Sequence, residues 1–432
     1  MEFETFSDMQ APDPRGLVFT PRGLGGPMSP EAAAEFRHKA VTRFELAPDV
    51  SEETRLRFEQ VQRIYSYGLL CYDLYTAASD AALLVLEQAL RDRFVSFHNG
   101  LITFRTPRGV EHTVPADRYN HFLDRYKAEK GNEVKTGPSG EWVKFGGGML
   151  HSLKTWARHV GLLQGQRNRG MEKMLSELRN AVAHPNGFTL LSPIEATQRI
   201  WDLAEIINHL WGHKTPGGRL YPAGLPQRVC WLGWDPRTGN IAAGDAENLQ
   251  GFRDDSDFEF IVLRTVHEPG GISDPHLFEF DSWYEATQYP TELLWGPGSK
   301  AEAVDWLANE SPEDSTCHYL DRIFLVRQHA GRAFLPMRPE VAAGLPAEEQ
   351  DGVWHVLRAD YPTDAFVHAR YLNGSPKHDT SGECSECWVT ALGQGDLAEA
   401  LQVAEKAGAS VVPVSPPDFR TPLAFPRSQP LT

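Results

Sequence analysis

The stretch Glu177-Leu178-Arg179-Asn180-Ala181-Val182-Ala183-His184-Pro185 decides how the rest of the chain is interpreted. On a helical wheel at about 100° per residue, the apolar residues of this segment and of the preceding turns form one narrow stripe. With Arg179 at the border of that stripe, Asn180 and His184 lie about one turn apart on a different face. Pro185 disfavours a helical residue before it, so the pattern predicts a helix that ends near His184.

An arginine, an asparagine and a histidine at one helix end suit phosphodiester chemistry. A neutral imidazole can accept a proton from a ribose 2′-hydroxyl. A guanidinium binds phosphate oxygens and stabilises the charge that grows on them. The amide of Asn180 can orient either partner, and the scheme needs no metal or cofactor. The same spacing is also typical of a surface arginine and a histidine that caps the negative end of a helix dipole.

Arg179-Asn180 followed by His184 resembles the R-N-x-x-x-H signature of HEPN domains. Residues 67–91 are similar to the long early helix of that family, and residues 193–211 to its closing helix. The resemblance extends over residues 55–212, under half of the chain. It implies a helical bundle that forms a homodimer or higher oligomer, often with two motifs facing a shared cleft. Many members are metal-independent ribonucleases of toxin or antiviral systems, whereas others have lost catalysis and only bind.

Glu87 lies among leucines in the segment that resembles the early helix. A carboxylate there can pair with Arg179 and orient it, or it can be an ordinary surface acid. The apolar pattern from residue 51 onward predicts a helical region to about residue 95, with a possible break at Ser79-Asp80.

Residues 99–150 change character and are interpreted as an insertion in the helical bundle. Residues 101–104 and 111–114 predict a small hairpin, and the rest is helical or glycine-rich. Arginines in the insertion and in the turn before the motif helix are candidates for contact with RNA phosphates. These candidates are Arg105, Arg108, Arg167 and Arg169.

The distribution of charge favours RNA contact in one region. The chain carries a net charge of −16, which opposes long-range attraction of nucleic acid. Residues 213–432 carry −15, whereas residues 101–200 carry +6. The region with the basic excess therefore includes the motif, although a charged helical face is also typical of ordinary solvated surface.

Length and composition predict several domains in the cytoplasm. A chain of 432 residues is too long for one core. There is no 18-residue apolar run and no signal-peptide pattern, so we expect no membrane partner. The predicted fold is an all-α helical bundle with a small inserted hairpin, followed by an acidic α+β domain. The predicted divisions are a mobile arm with a short helix (1–46), the HEPN-like domain (47–212), the α+β domain (213–415) and a flexible proline-rich tail (416–432).

The second half has strand and helix patterns but resembles no family. Five segments predict strands, and residues 300–307 and 396–407 predict helices, the latter followed by a strand at 410–413. The five strand segments are 228–234, 258–263, 323–326, 353–357 and 367–371.

One cluster in this half has metal-like spacing. Cys384-Ser385-Glu386-Cys387 is a C-x-x-C pair, and His378 precedes it by six residues. A structural zinc site normally needs four ligands, and His378 and His368 are candidates for the other two. Without a second C-x-x-C pair, the alternative of reduced thiols in a loop stays open.

The sequence therefore predicts a metal-independent endoribonuclease that acts as a toxin or antiviral-defence effector. The candidate catalytic residues are Arg179, Asn180 and His184, and residues 213–415 sense a trigger protein or ligand, or restrain the nuclease. The alternative is a non-catalytic HEPN-type module for dimerisation or for binding RNA or nucleotides.

Overall fold

The chain divides into two compact units. One comprises Met1–Gln164 and Met171–Ala223, and the other Gly165–Gly170 and Gly224–Thr432. The computed structural model gives only the backbone for 181–183. It describes residues 5–18, 26–137, 140–146, 150–183, 190–216, 218–221, 224–253, 257–266, 290–372 and 377–414.

Helices dominate the first unit. They are α1 (Phe6–Gln10), α2 (Pro30–Thr42), α3 (Glu52–Tyr67), α4 (Leu74–Phe97), α5 (Tyr119–Ala128), α6 (Leu150–His159), α7 (Gln166–Ala183) and α8 (Pro193–Leu210), of which α7 begins in the second unit. Helix α4 is the centre of the unit and packs between α3 and α8. The region predicted to be an N-terminal arm includes α2, which packs on α3 and α8.

The first unit also contains a four-stranded sheet, so the prediction of an all-α bundle with a small hairpin is wrong. The predicted hairpin is present as β1 (Leu101–Arg105) and β2 (Glu111–Pro115). Two further strands, β3 (Glu133–Lys135) and β4 (Trp142–Lys144), extend it to the antiparallel order β2-β1-β3-β4. Both added strands have only three residues, too few to show a two-residue period in the sequence.

Phe94 joins this sheet region to the helical core. Its ring packs against Tyr119, Phe122, Phe145 and Trp156, with centroid distances from 4.8 to 5.7 Å. These partners come from α5, from the residue after β4 and from α6. The region predicted as an insertion is thus part of the hydrophobic core of the unit.

The predicted helix break at Ser79-Asp80 is wrong, because the chain turns earlier, at residues 68–73. A side chain at Gly68 would lie within 2.4 Å of the Tyr75 ring, so this turn requires glycine. Ser79 is buried within α4, where its hydroxyl accepts a hydrogen bond from Arg199 of α8 at 2.7 Å. Its polar group is satisfied by a neighbouring helix, and α4 continues through it.

Two antiparallel sheets with covering helices form the second unit, instead of one α+β layer. The helices are α9 (Lys300–Glu310), α10 (Pro339–Ala343), α11 (Ala347–Gln350), α12 (Pro362–Leu372) and α13 (Leu397–Lys406). One sheet has the order β6-β5-β7-β8, and β9 pairs with the start of β5. Its strands are β5 (Leu225–Trp234), β6 (Ile241–Asp245), β7 (Glu259–Thr265), β8 (Glu292–Gly298) and β9 (Ser315–Cys317).

The other sheet of this unit has the order β11-β10-β12-β14-β13. Its strands are β10 (Arg322–His329), β11 (Arg332–Ala333), β12 (Val353–Ala359), β13 (Gly382–Glu383) and β14 (Val389–Gly395). One face of this sheet packs against the sheet β6-β5-β7-β8 and against α13. The core between them includes Trp354 of β12 and Leu263 of β7. The opposite face of the sheet β11-β10-β12-β14-β13 packs on Ala365 and Ala369 of α12. Strand residues are therefore buried on both faces, which explains their nearly continuous apolar runs.

The predicted strand at 367–371 is wrong, because these residues belong to helix α12. The signals for a helix lie upstream, in Pro362 at the first helical position and Asp364 in the first turn. Ala365, His368 and Ala369 are buried at helical spacing, and this packing outweighs the strand propensity of Val367 and Tyr371. The strand predicted at 410–413 is also absent. In the described part of the chain, no helix is both long and apolar enough to cross a bilayer.

We expect Phe94→Ala to lower the free energy of unfolding of the first unit by about 3–5 kcal/mol, because it leaves a cavity among four aromatic rings. The matched control is Leu84→Ala on the same helix, where the side chain is 48% exposed and the loss should stay below about 1 kcal/mol. Urea denaturation followed by circular dichroism measures both. Equal losses in the two variants would show that the sheet region does not share the helical core.

Candidate functional site

The first turn of motif helix α7 is anchored by two aspartates that are distant in the sequence. The Asp360 carboxylate accepts hydrogen bonds from the backbone N–H groups of Gln166 at 2.9 Å and Arg167 at 3.0 Å. Asp321 accepts the N–H of Gly165 at 2.9 Å. Free N–H groups and the positive end of the dipole make a helix start a good site for a carboxylate. All these residues belong to the second unit.

Further along α7, Glu172 and Leu175 are buried, and Arg179 is half-buried. Glu172 is 6% exposed and Leu175 is 3% exposed. Met171 and Leu178, which the wheel places on the apolar stripe, are only half-buried. The helix is thus rotated so that Glu172 and Leu175 face the core, with Arg179 at the border.

Arg158 of α6 compensates the buried charge of Glu172. Its Nε and Nη2 atoms each lie 2.9 Å from a carboxylate oxygen of Glu172, which is a bidentate pair. Lys154 of α6 donates to the Glu172 carbonyl at 2.8 Å, and Tyr221 donates to its carboxylate at 3.4 Å. These contacts fix the rotation of α7 about its axis.

Glu87 of α4 brings Arg179 and Arg91 together. Its Oε2 accepts a hydrogen bond from Nε of Arg179 at 3.0 Å and forms an ion pair with Nη2 of Arg179 at 2.9 Å. Its Oε1 accepts one from Nη2 of Arg91 at 2.5 Å. Glu87 is 7% exposed, so one buried carboxylate lies between two guanidinium groups. The cluster, here called the Glu87 triad, keeps one net positive charge.

Of the remaining motif residues, the structure describes only Asn180. Asn180 is exposed on α7. His184 lies outside the described residues, and α7 is described to Ala183, the residue before it. The ring position of the candidate base therefore stays a prediction from the sequence.

A cavity of about 470 Å³ opens beside Arg91 in the first unit. Tyr119 and Asp92 also line it, and the guanidinium of Arg91 lies over the Tyr119 ring at 5.5 Å. Thr54 donates its hydroxyl hydrogen to Asp92 at 2.7 Å, so that carboxylate is already engaged. The cavity therefore offers polar space beside Arg91, one of the two arginines of the Glu87 triad.

Three of the four arginines predicted to contact RNA are engaged by carboxylates. Arg105 pairs with Glu133 and lies over the Trp142 ring. Arg167 and Arg169, both in the second unit, pair with Asp364 at 3.0 Å and with Glu383 at 3.1 Å. Arg108 is exposed in the β1–β2 turn.

A second cluster of functional groups lies in the second unit. Nδ1 of His368 is 3.0 Å from Sγ of Cys387. Nδ1 of His378 is 3.6 Å from Sγ of Cys384 and 3.8 Å from Sγ of Cys387. Burial lowers the pKa of His368 to about 4, with a smaller contribution from His378. Burial, followed by the neighbouring Cys384, raises the pKa of the Cys387 thiol above its usual range.

Sequence analysis missed several residues that position the motif helix. Arg91 follows Glu87 by four residues, a helical spacing that could have identified it. Glu172 precedes Arg179 by seven residues and therefore shares its face. Asp321 and Asp360 had no usable signal, since they meet α7 only through tertiary structure.

Comparison with known proteins finds no match among protein-family models, curated proteins or solved structures.

We expect Glu87→Ala to lower the free energy of unfolding by about 1–3 kcal/mol, because it leaves two guanidinium groups without their shared acceptor. The control is Glu59→Ala on α3, which removes an exposed pair with Arg63 at the same spacing and should cost below about 0.5 kcal/mol. Urea denaturation compares the variants. A loss at Glu87 no larger than at Glu59 would contradict a positioning role for the triad.

Proposed function

We propose that the chain is a HEPN-type endoribonuclease whose site is built around Arg179 and His184. The proposal rests on the motif and on one observation, the Glu87 triad. The triad fixes the guanidinium of Arg179 at the inner face of the motif helix. An ordered guanidinium loses less conformational freedom when it binds a phosphate, so a fixed arginine is better suited to catalysis than a mobile one.

The contacts of Arg179 support the proposal that one edge of its guanidinium group is available to a phosphate. Its Nε and Nη2 are used by Glu87. No described residue accepts a hydrogen bond from its Nη1. Because the triad has one carboxylate for two guanidinium groups, its excess positive charge suits a phosphodiester anion.

In this proposal the reaction needs only groups of the protein and the RNA. His184 takes the proton of a ribose 2′-hydroxyl while the 2′-oxygen forms a bond to phosphorus. Arg179 stabilises the negative charge on the phosphorane oxygens. The bond from phosphorus to the 5′-oxygen then breaks, the leaving oxygen takes a proton from water, and the protonated His184 returns its proton to the solvent. The products are a 2′,3′-cyclic phosphate and a 5′-hydroxyl end.

We assign the second unit a sensing or restraining role. Arg167 and Arg169 precede the motif on α7 and are candidates for RNA contact. In the second unit they are held by Asp364 and Glu383 instead. A trigger that competes for these carboxylates would release both arginines, which supports a restrained state that awaits activation.

The central prediction is RNA cleavage by the purified full-length protein in Mg²⁺-free buffer with EDTA. Arg179→Ala and His184→Ala should each reduce the rate by about 10²–10⁴-fold, because each removes a catalytic group. Cleavage is measured on labelled RNA, with the 2′,3′-cyclic phosphate identified by mass spectrometry. The control Arg63→Ala changes an exposed arginine of α3 and should cleave at the wild-type rate.

Three outcomes would each refute the nuclease proposal: unchanged cleavage by His184→Ala, strict dependence on added Mg²⁺, or cleavage of a 2′-deoxy substrate. Binding of RNA without cleavage in every condition would favour the non-catalytic module, in which the Glu87 triad only holds helices together.

We also propose that the protein is a homodimer, because the arginine and the histidine that the sequence predicts at one helix end would make an open corner. A two-fold axis would surround a phosphate with two of each. Light scattering after size-exclusion chromatography should give twice the chain mass of 48.3 kDa. A monomeric mass with full cleavage activity would rule out the shared site.

A further inference from the structure

Four potential metal ligands converge on one point of the second unit. They are His368 of α12, His378 in the segment before β13, and Cys384 and Cys387 between β13 and β14. One donor atom from each lies within 4.8 Å of every other. His368 is fully buried, and Cys384 is 5% exposed.

The distances fit a tetrahedral zinc site. With Zn–S bonds of about 2.3 Å and Zn–N bonds of about 2.0–2.1 Å, the edges of the tetrahedron measure about 3.3–3.8 Å. The two distances from Nδ1 of His378 to the sulfur atoms are 3.6 and 3.8 Å. The distance from Nδ1 of His368 to Sγ of Cys387 is 3.0 Å, which is shorter than such an edge. Because all the donor atoms lie within 4.8 Å of one another, small shifts of the side chains would bring them to tetrahedral positions.

We propose that His368, His378, Cys384 and Cys387 bind one structural Zn²⁺ ion. Two thiolates and two neutral imidazoles are a closed four-ligand set for zinc, with no position left for water. Two thiolate charges also neutralise the ion, which suits a site with two buried ligands. The inference is independent of the nuclease proposal, because no residue of the motif takes part.

The surroundings hold the ligand loop in a defined shape. The Asp379 carboxylate accepts the N–H of Ser385 at 2.8 Å, which closes the segment between His378 and Cys384. The N–H of Cys384 donates to the carbonyl of Val389 at 3.0 Å. The ring of Tyr371 stacks on His378 with centroids 5.2 Å apart. An enclosed, hydrogen-bonded ligand loop is what a structural site requires.

The proposed ion would connect two elements that hold the start of the motif helix. Helix α12 carries Asp364, which pairs with Arg167. The β13–β14 hairpin carries Glu383 and Thr390, which both bind the side chain of Arg169. His368 belongs to α12, and the two cysteines lie between β13 and β14. Zinc would therefore fix the spacing of the acceptors for both arginines.

The test begins with the full-length protein purified under reducing conditions. Elemental analysis should find about one zinc ion per chain. Replacement by Co²⁺ should give the visible absorption of tetrahedral cobalt with a thiolate charge-transfer band. Cys387→Ser and His378→Ala should lose most of the bound zinc, and Cys387→Ser should weaken the charge-transfer band.

The matched controls are Cys71→Ser and His329→Gln, which change an exposed cysteine and an exposed histidine and should keep the zinc. Zinc-free wild-type protein with no cobalt spectrum would overturn the proposal even if the variants misfold. Retention of zinc by Cys387→Ser would also overturn it. So would a Cys384–Cys387 disulfide in a protein that binds no zinc after reduction.

The connecting role is tested by hydrogen exchange. Removal of zinc with a chelator should speed exchange of the backbone amides of residues 165–170, while amides of α9 stay unchanged. Unchanged exchange at residues 165–170 would show that the ion stabilises only the segment that binds it, and would overturn the connecting role. Neither readout involves RNA, so failure of the zinc proposal leaves the nuclease proposal standing, and the reverse also holds.

Discussion

The carboxylate of Glu87, shared by Arg91 and Arg179, is the contact on which the arrangement of the motif depends. A guanidinium removed from water must find acceptors, and a buried carboxylate must find donors. Glu87 meets both requirements at once, because α4 carries it into the core of the first unit. The bidentate pair of Arg158 and Glu172 does the same two turns earlier along α7. Together the two pairs determine which face of the motif helix is turned inward.

The second unit follows a different principle, since its two sheets are held by apolar packing. The core they share with α13 includes Trp354 and Leu263. Several polar contacts lie at one edge, where α12 and β14 meet the segment 165–170. Asp360 caps the helix there, Asp364 holds Arg167, and the cluster of cysteines and histidines lies beside them. The start of the motif helix thus depends on a site far from it in the sequence.

Local rules explain what could be predicted from the sequence. The start of α8 follows from local residues, since Ser192 and Glu195 form both hydrogen bonds of a capping box and Pro193 occupies the first turn. The C-x-x-C pair pointed to His378 through short spacing alone. What failed depended on tertiary structure: the strand propensity of 367–371 was outweighed by burial against the sheet. No local pattern could show that Asp321 and Asp360 cap α7, because the residues around each aspartate carry no signal that depends on a helix so distant in the sequence.

The division between the two units runs through α7 itself, since residues 165–170 belong to one unit and the continuation from Met171 to the other. Because α7 is one continuous helix, recombination cannot exchange one of its two segments without changing the contacts of the other. Recombination near residues 212–224 would deliver a helical unit whose motif helix has lost the carboxylates that cap its first turn. A substitution at Asp360 would therefore change the first turn of the motif helix. Divergence of this chain is expected to preserve Asp360 together with the segment 165–170 that it caps.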